Sequence, residues 1–203
     1  MSPFPRLGSL PRRQGTKWGG GIERKGFSVD RKEIFRGKVV DLGIESVELP
    51  NGQVWDLEVV RHPGAAAVLP LTDRGDAVLV RQFRHAAGGW ILEVPAGKLD
   101  PGEEPADCAR RETEEEVGYR VGSLRSLGWI FTTPGFTDEK IHLFLATDLE
   151  AGQQALEEDE LLTVVKMPLE RAARMALDGE IQDAKTAVIL LRAAALLRDA
   201  ALP

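Results

Sequence analysis

The sequence predicts an α/β fold, in which a mixed set of strands surrounds a short central helix and a longer helix ends the chain. Apolar, β-prone runs recur between residues 33 and 167. A helical stretch at 105–117 interrupts these runs and ends at a glycine. An Ala/Leu-rich segment after residue 183 is long enough for a helix of several turns. Together these three observations indicate an α/β sandwich.

The composition is typical of a globular protein with one compact domain and a small accessory element. The chain has 203 residues, of which 43% are hydrophobic and 29% are charged. No apolar run approaches the ~20 residues of a membrane span, and the N-terminus lacks the apolar core of a secretory signal. The single cysteine, Cys108, fits a reducing compartment. We therefore expect a cytoplasmic protein without a membrane partner.

The net charge restricts the class of partner. A charge of −6 argues against a nucleic-acid partner. An anionic substrate would therefore need metal ions and a few well-placed arginines to make its site locally positive. The three histidines are scattered and show no zinc-ligand spacing.

Two segments precede the main domain. Residues 1–27 contain six lysines and arginines against one glutamate, and we interpret them as a flexible basic tail. Residues 28–62 predict an antiparallel β-sheet with a hairpin turn at 50–52 and strands at Glu33–Leu42, Ile44–Leu49 and Val54–Val60. A three-stranded sheet of this size is marginal alone, so it must pack on the main domain or on a second subunit.

Residues 63–203 are expected to form the main domain. Its strands are predicted at Ala65–Leu71, Ala77–Gln82, Trp90–Val94, Leu124–Thr132, Ile141–Ala146 and Leu161–Met167. The central helix begins with Pro105 in its first turn and stops before Gly118. A second helix covers about Leu169–Leu177, and a third begins after Asp183 as N-cap and reaches about Ala200.

Three glutamates gather on one face of the central helix. Spacings of three and four residues bring Glu112, Glu115 and Glu116 together, at a cost of roughly 0.2–0.5 kcal/mol for like charges at i,i+4. Arg111 precedes Glu115 by four residues, whereas Glu112 and Glu116 have no such partner on the helix. The acids also oppose the helix dipole at its C-terminal end. A divalent cation such as Mg²⁺ explains the cluster; a solvated or purely structural acidic face is the alternative.

The stretch from Gly97 to Tyr119 resembles a known motif. It fits the Nudix box G-x5-E-x7-R-E-U-x-E-E-x-G-U, where U is bulky and apolar, at Gly97, Glu103, Arg111, Glu112, Glu115, Glu116 and Gly118. Thr113 and Tyr119 occupy U positions as mild departures. The chain therefore resembles the Nudix hydrolases, and this resemblance implies an α/β/α sandwich with a mixed sheet.

The resemblance also implies roles for the box residues. Mg²⁺, with Mn²⁺ as a substitute, would be held by the carbonyl of Ala96 and by Glu112 and Glu116. Glu115 would be a ligand or stand close to the metals, and Arg111 would pair with Glu115 and orient it. Glu103 would brace the junction between the loop and the helix.

Residues outside the box resemble the ADP-ribose pyrophosphatase subfamily. These are the lead-in Glu93–Lys98, the proline at 134, sixteen residues after Gly118, and the stretch 133–139. By this resemblance Arg84 would contact the diphosphate, although a surface charge at a strand end is a competing interpretation. Glu139 would face the terminal ribose, and Gly135 would lie beside the substrate.

Two further predictions follow from the same resemblance. Glu158 would be the base that activates water and Glu160 a further metal or water contact, with a register uncertain by one or two positions among four consecutive acids. The N-terminal sheet would be exchanged in a homodimer. It would bring Arg61, Val39 and Val40 to the adenine or phosphates of the other subunit's site; a structural role is the alternative for Val39 and Val40.

The function implied is Mg²⁺-dependent hydrolysis of ADP-ribose to AMP and ribose 5-phosphate. Other nucleoside diphosphate derivatives, namely GDP-mannose, NADH and a flavin dinucleotide, are alternative substrates. A non-catalytic, ligand-sensing Nudix module is a further alternative, although such modules usually lack box glutamates that this chain retains.

Overall fold

The computed structural model describes residues 28–156 and 160–201. These residues divide into two compact units. The main unit comprises residues 64–130, 141–156 and 160–201, and the N-terminal unit comprises residues 28–63 and 131–140. The basic tail predicted at 1–27 lies outside the described residues.

The N-terminal unit is built on a three-stranded antiparallel sheet. Its strands are β1 (Ser28–Arg36), β2 (Asp41–Glu48) and β3 (Val54–Arg61), in the order β1-β2-β3. The predicted hairpin turn is present, because the amide of Gly52 donates to the carbonyl of Leu49 at 2.8 Å and Gly52 has a φ of +80°. In the segment 131–140, the carbonyl of Phe136 accepts the amide of Val60 at 2.8 Å.

The first predicted strand, Glu33–Leu42, is wrong. The chain turns earlier, where the amide of Gly37 donates to the carbonyl of Val40 at 2.8 Å, and Gly43 lies inside β2 opposite Glu33. A Cβ on Gly43 would lie 2.7 Å from the guanidinium carbon of Arg31. This glycine therefore permits a close approach by the Arg31 side chain within the strand.

The main unit contains two sheets. A mixed sheet has the order β7-β4-β9-β8 and an antiparallel sheet the order β10-β5-β6. The strands are β4 (Ala65–Pro70), β5 (Asp76–Arg84), β6 (Gly89–Glu93), β7 (Ala96–Lys98), β8 (Tyr119–Phe131), β9 (Lys140–Ala151) and β10 (Leu162–Pro168). The helices are α1 (Pro105–Val117), α2 (Leu169–Leu177) and α3 (Ala184–Ala201).

Strand β4 separates two hydrophobic cores. Ala65, Ala67 and Leu69 belong to a large core shared with α2 and α3. Ala66 and Val68, which point to the opposite face, pack with residues of α1. Helices therefore cover both faces of the sheet, and the predicted α/β/α sandwich is confirmed.

Helix α1 has the predicted limits. Pro105 occupies its first turn, and Gly118 follows its last residue with a φ of +71°. Ala109, Thr113 and Val117 form its buried stripe, as their four-residue spacing predicts. Within the described parts of the chain, no helix is long and apolar enough to cross a membrane.

Candidate active site

Two of the three clustered glutamates are buried. Glu112 is 7% exposed and Glu116 is 2% exposed, whereas Glu115 is only partly buried. A solvated acidic face therefore does not describe Glu112 or Glu116. Buried carboxylates need a compensating charge or hydrogen bonds, and their surroundings show which of them have these.

Arg111 holds three carboxylates. Its Nε and Nη2 donate to Glu103 at 2.9 and 3.0 Å, and its Nη1 donates to Glu112 at 2.7 Å and to Glu115 at 3.0 Å. The predicted ion pair with Glu115 is present. Glu112 has no cationic partner four residues away, as expected, but the guanidinium of the adjacent Arg111 turns back toward it.

Glu103 braces the start of α1 as expected. It accepts two hydrogen bonds from Arg111, and its Oε2 also accepts the amide of Asp100 at 3.0 Å. The Arg111 guanidinium lowers the pKa of Glu103 to about 2. The loop that enters the helix is therefore tied to the arginine that orients the other acids.

Glu116 differs from its neighbours because its charge is not compensated by a hydrogen-bonded cation. Among the described residues, its buried Oε2 has no hydrogen-bond partner. Burial, followed by the charges of Glu112 and Glu160, raises the pKa of Glu116 to about 9. Burial also raises the pKa of Glu112 to about 6, despite the opposing effect of Arg111. An unpaired, buried carboxylate oxygen of Glu116, close to the charge of Glu112, suits a divalent cation, which would supply the missing positive charge.

Strand β7 brings Ala96 next to the glutamates. The backbone amide of Ala96 donates a hydrogen bond to Glu116 and acts to lower the pKa of that carboxyl group. The next residue, Gly97, lies against Glu112 so closely that a Cβ would overlap the carboxyl group of that glutamate. Ala96, Glu112 and Glu116, the predicted metal ligands, are therefore brought together by β7 and α1.

The acidic loop before β10 is only partly described. Glu160 lies near enough for its charge to raise the pKa values of Glu112 and Glu116. Glu158, the predicted base, lies outside the described residues. Within 28–156 and 160–201, no three His, Cys, Asp or Glu side chains are already arranged around a common metal position. Arg111 accounts for part of this, because it engages one oxygen each of Glu112 and Glu115.

Arg84 lies at the end of β5 and is ion-paired. Its Nε and Nη2 donate to Oε2 of Glu93 at 3.1 and 2.8 Å, and its side chain is 42% exposed. Burial acts to lower the pKa of Arg84, but the pairing with Glu93 and the charges of Glu116 and Asp183 raise it overall. Arg84 is therefore within electrostatic reach of the glutamate cluster and is more than a solvated charge at a strand end.

The other predicted substrate contacts lie in the N-terminal unit. Nε of Arg61 donates to Glu45 at 2.7 Å and its Nη1 donates to Asp138 at 2.9 Å. Glu139 accepts a hydrogen bond from the hydroxyl of Thr132 at 2.7 Å. Gly135 lies in the segment 131–140, and Val39 and Val40 are exposed at the turn before β2.

Sequence reasoning did not single out several partners of these residues. They are Glu45 and Asp138 beside Arg61, Glu93 beside Arg84, and Lys185 beside Glu93. Glu93 and Asp138 stand inside the stretches that resemble the subfamily, so their position was a usable signal. Lys185 is 92 residues from Glu93, and no local spacing connects them.

Comparisons with known proteins agree with this geometry. Residues 60–188 match the sequence model of the NUDIX domain. An ADP-ribose pyrophosphatase of Bacillus subtilis (strain 168) is 46% identical over 162 residues, covering 79% of this chain and 88% of that protein. A GDP-mannose pyrophosphatase of Klebsiella pneumoniae is 37% identical over 152 residues, covering 66% and 76%.

A solved structure described as an ADP compounds hydrolase has the same fold. It superposes with a TM-score of 0.74 at 23% identity and covers 87% of this chain and 96% of its own. The family match spans more than half of the chain. The chain belongs to the Nudix family and is a Nudix hydrolase.

Proposed function

We propose that this hydrolase cleaves the diphosphate bond of ADP-ribose, giving AMP and ribose 5-phosphate, with Mg²⁺ as its cofactor and Mn²⁺ as a substitute. The observation on which this depends is the unpartnered Oε2 of Glu116, buried beside Glu112. The 46% identity to an ADP-ribose pyrophosphatase supports the choice of substrate. The GDP-mannose pyrophosphatase relative makes a nucleotide sugar the second candidate.

The metal ligands in this proposal are Glu112, Glu116 and the carbonyl of Ala96. When bound, Mg²⁺ would neutralise the diphosphate and polarise a water molecule. Arg111 orients Glu112 and Glu115 through its hydrogen bonds, and each carboxylate keeps a second oxygen that the metal or its water could use.

The remaining predicted residues bind substrate or accept a proton. Arg84 has the planar fork that suits phosphate oxygens, and we assign it to the diphosphate. Glu158, or Glu160 in its place, accepts the proton of the attacking water. We assign Glu139 to the terminal ribose, Gly135 to a position beside the substrate, and Arg61 to the adenine or phosphates bound at the other subunit's site.

We further propose a cytoplasmic homodimer in which residues 28–62 are exchanged between subunits. The sheet of the N-terminal unit leaves large apolar side chains exposed, which supports its burial against a second copy. These residues are Ile34, Phe35, Val54, Trp55 and Leu57. The use of a single cysteine, Cys108, supports the reducing compartment.

A substrate panel tests the proposal. ADP-ribose, GDP-mannose, NADH and a flavin dinucleotide are each incubated with the protein and Mg²⁺, together with a phosphatase. The phosphatase releases phosphate only from monoester products, so inorganic phosphate reports cleavage of the diphosphate. We expect the highest kcat/KM for ADP-ribose. A higher value for GDP-mannose would favour the second candidate.

Substitution of Glu116 tests the site independently of the substrate. We expect Glu116→Gln to lower kcat by ~10²–10³, about 2.7–4 kcal/mol of barrier. Glu114→Gln is the matched control, because Glu114 lies on the same helix but pairs with Arg120. Near-normal turnover in a folded Glu116→Gln protein would contradict the site. Tight ADP-ribose binding without Mg²⁺-stimulated cleavage in the wild type would indicate a sensing module instead.

A further inference from the structure

We propose that Glu93 is a positioning residue that holds Arg84 in the orientation needed to bind the diphosphate, and that the first turn of α3 secures Glu93. This inference rests on the proposed function, because it assumes that Arg84 meets the phosphates. It assigns a role in the reaction to side chains outside the Nudix box: Glu93 just before the box, and residues at the start of α3, the last helix.

Glu93 is a buried carboxylate between two cations. It is 3% exposed at the end of β6. Its Oε2 accepts hydrogen bonds from Nε and Nη2 of Arg84, at 3.1 and 2.8 Å. Its Oε1 accepts a hydrogen bond from Nζ of Lys185 at 3.1 Å. Each oxygen thus has its own cationic partner, which offsets the cost of burying the charge.

The start of α3 holds this arrangement from the other side. Asp183 accepts Nζ of Lys185 at 3.0 Å and also caps α3, accepting the amide of Thr186 at 2.9 Å and its hydroxyl at 2.6 Å. The hydroxyl oxygen of Thr186 in turn accepts the amide of Val94 at 2.9 Å. Glu93, the last residue of β6, and Val94, which follows it, are therefore both hydrogen-bonded to a helix that is remote in sequence.

The geometry leaves one edge of Arg84 available. Glu93 uses the Nε and Nη2 side of the guanidinium, and no hydrogen bond to Nη1 occurs within the described residues. A phosphate oxygen could therefore bind at Nη1 while Glu93 keeps its hydrogen bonds. An arginine that is already oriented loses less conformational freedom when the substrate binds.

Lys185 also affects how strongly Glu93 competes with the substrate. Without Lys185, the whole negative charge of Glu93 would act on Arg84 and oppose the attraction of the diphosphate. With it, the two carboxylates Glu93 and Asp183 balance the two cations Arg84 and Lys185. The cluster is neutral as a whole, and the guanidinium remains attractive to an anion.

A double-mutant cycle tests the inference. Glu93→Gln, Arg84→Gln and the double variant are compared with the wild type on the best substrate of the panel. We expect Glu93→Gln to raise KM by about tenfold while kcat changes by less than about threefold, because ground-state binding through Arg84 is lost. In the Arg84→Gln background, we expect Glu93→Gln to change kcat/KM by less than about twofold. Glu170→Gln, an exposed carboxylate on α2, is the control and should change neither constant.

Equal effects of Glu93→Gln in both backgrounds would overturn the inference, since a merely structural residue acts regardless of Arg84. So would a loss of kcat with KM unchanged. If Glu93→Gln does not fold in a thermal melt, the same cycle is run with Lys185→Gln, which should raise KM only when Arg84 is present. If another compound is the best substrate, KM and kcat in the cycle are measured with that compound. If no compound is cleaved, the cycle measures the Kd for ADP-ribose instead, so that this inference and the proposed function can fail separately.

Discussion

Replacing Gly97 with alanine tests the position of a single carboxylate. Gly97 does not have a positive φ, so its backbone tolerates alanine. The added Cβ would, however, overlap the carboxyl group of Glu112, and even the more distant Oε2 would be only 2.7 Å away. Glu112 would have to withdraw, and its hydrogen bond to Arg111 would have to change with it.

The expected magnitude follows from this overlap. To restore van der Waals contact, the carboxylate would move by roughly 1 Å or more, and a misplacement of that size can cost about 10²-fold in rate. We therefore expect Gly97→Ala to lower kcat/KM by about 10²-fold, near 2.7 kcal/mol of barrier. The Mg²⁺ concentration for half-maximal rate should also rise, because one proposed ligand is displaced.

The assay is phosphate release at varied Mg²⁺ concentration. Gly89→Ala is the matched control, because a Cβ there meets nothing within 4 Å and the φ of Gly89 is not positive. In a Glu112→Gln background, Gly97→Ala should add little further loss, since both changes act on the same ligand. A folded Gly97→Ala protein with wild-type kcat/KM and Mg²⁺ dependence would refute the reasoning.

Four other outcomes follow from the structure. Arg111→Lys should lower kcat/KM at least about tenfold, because an ammonium group cannot hold three carboxylates at once; steady-state kinetics check this. Because the raised pKa values of Glu112 and Glu116 mean that the folded state binds protons more tightly, the free energy of unfolding of the metal-free protein should fall as pH rises from about 5 to about 9. Mg²⁺ binds the ionised forms, so it should raise the melting temperature more at about pH 8 than at about pH 6. Burial raises the pKa of Cys108 to about 12, so its thiol should resist alkylation until the protein unfolds, as a thiol-labelling time course would show.

Much of the fold was predictable because its signals are local. The limits of α1 follow from Pro105 and Gly118, and the stripe through Ala109 and Val117 gives its buried face. The bounds of the first two strands are less visible, because a glycine in a strand, such as Gly43, and a glycine in a turn look the same in sequence. What distinguishes the two cases here is the guanidinium of Arg31, which extends from the neighbouring strand β1 and lies against Gly43.

The candidate site was predictable only in part, for the same reason. The spacing of Glu112 and Glu116 along one helix is visible in sequence, as is the box that contains them. Burial of these carboxylates depends on the strands beneath α1, and the return of Arg111 toward Glu112 depends on a rotamer. The pairing of Glu93 with Lys185 joins elements 92 residues apart, which no local pattern encodes.

The run of three alanines in β4 limits how the protein can be engineered. Ala66 contributes to the packing beneath α1, while Ala65 and Ala67 contribute to the packing beneath α2 and α3. A larger side chain at any of them would force a helix layer outward, at about 1–3 kcal/mol for overpacking. Efforts to make the protein more heat-resistant should leave this strand untouched and begin at exposed positions of the helices.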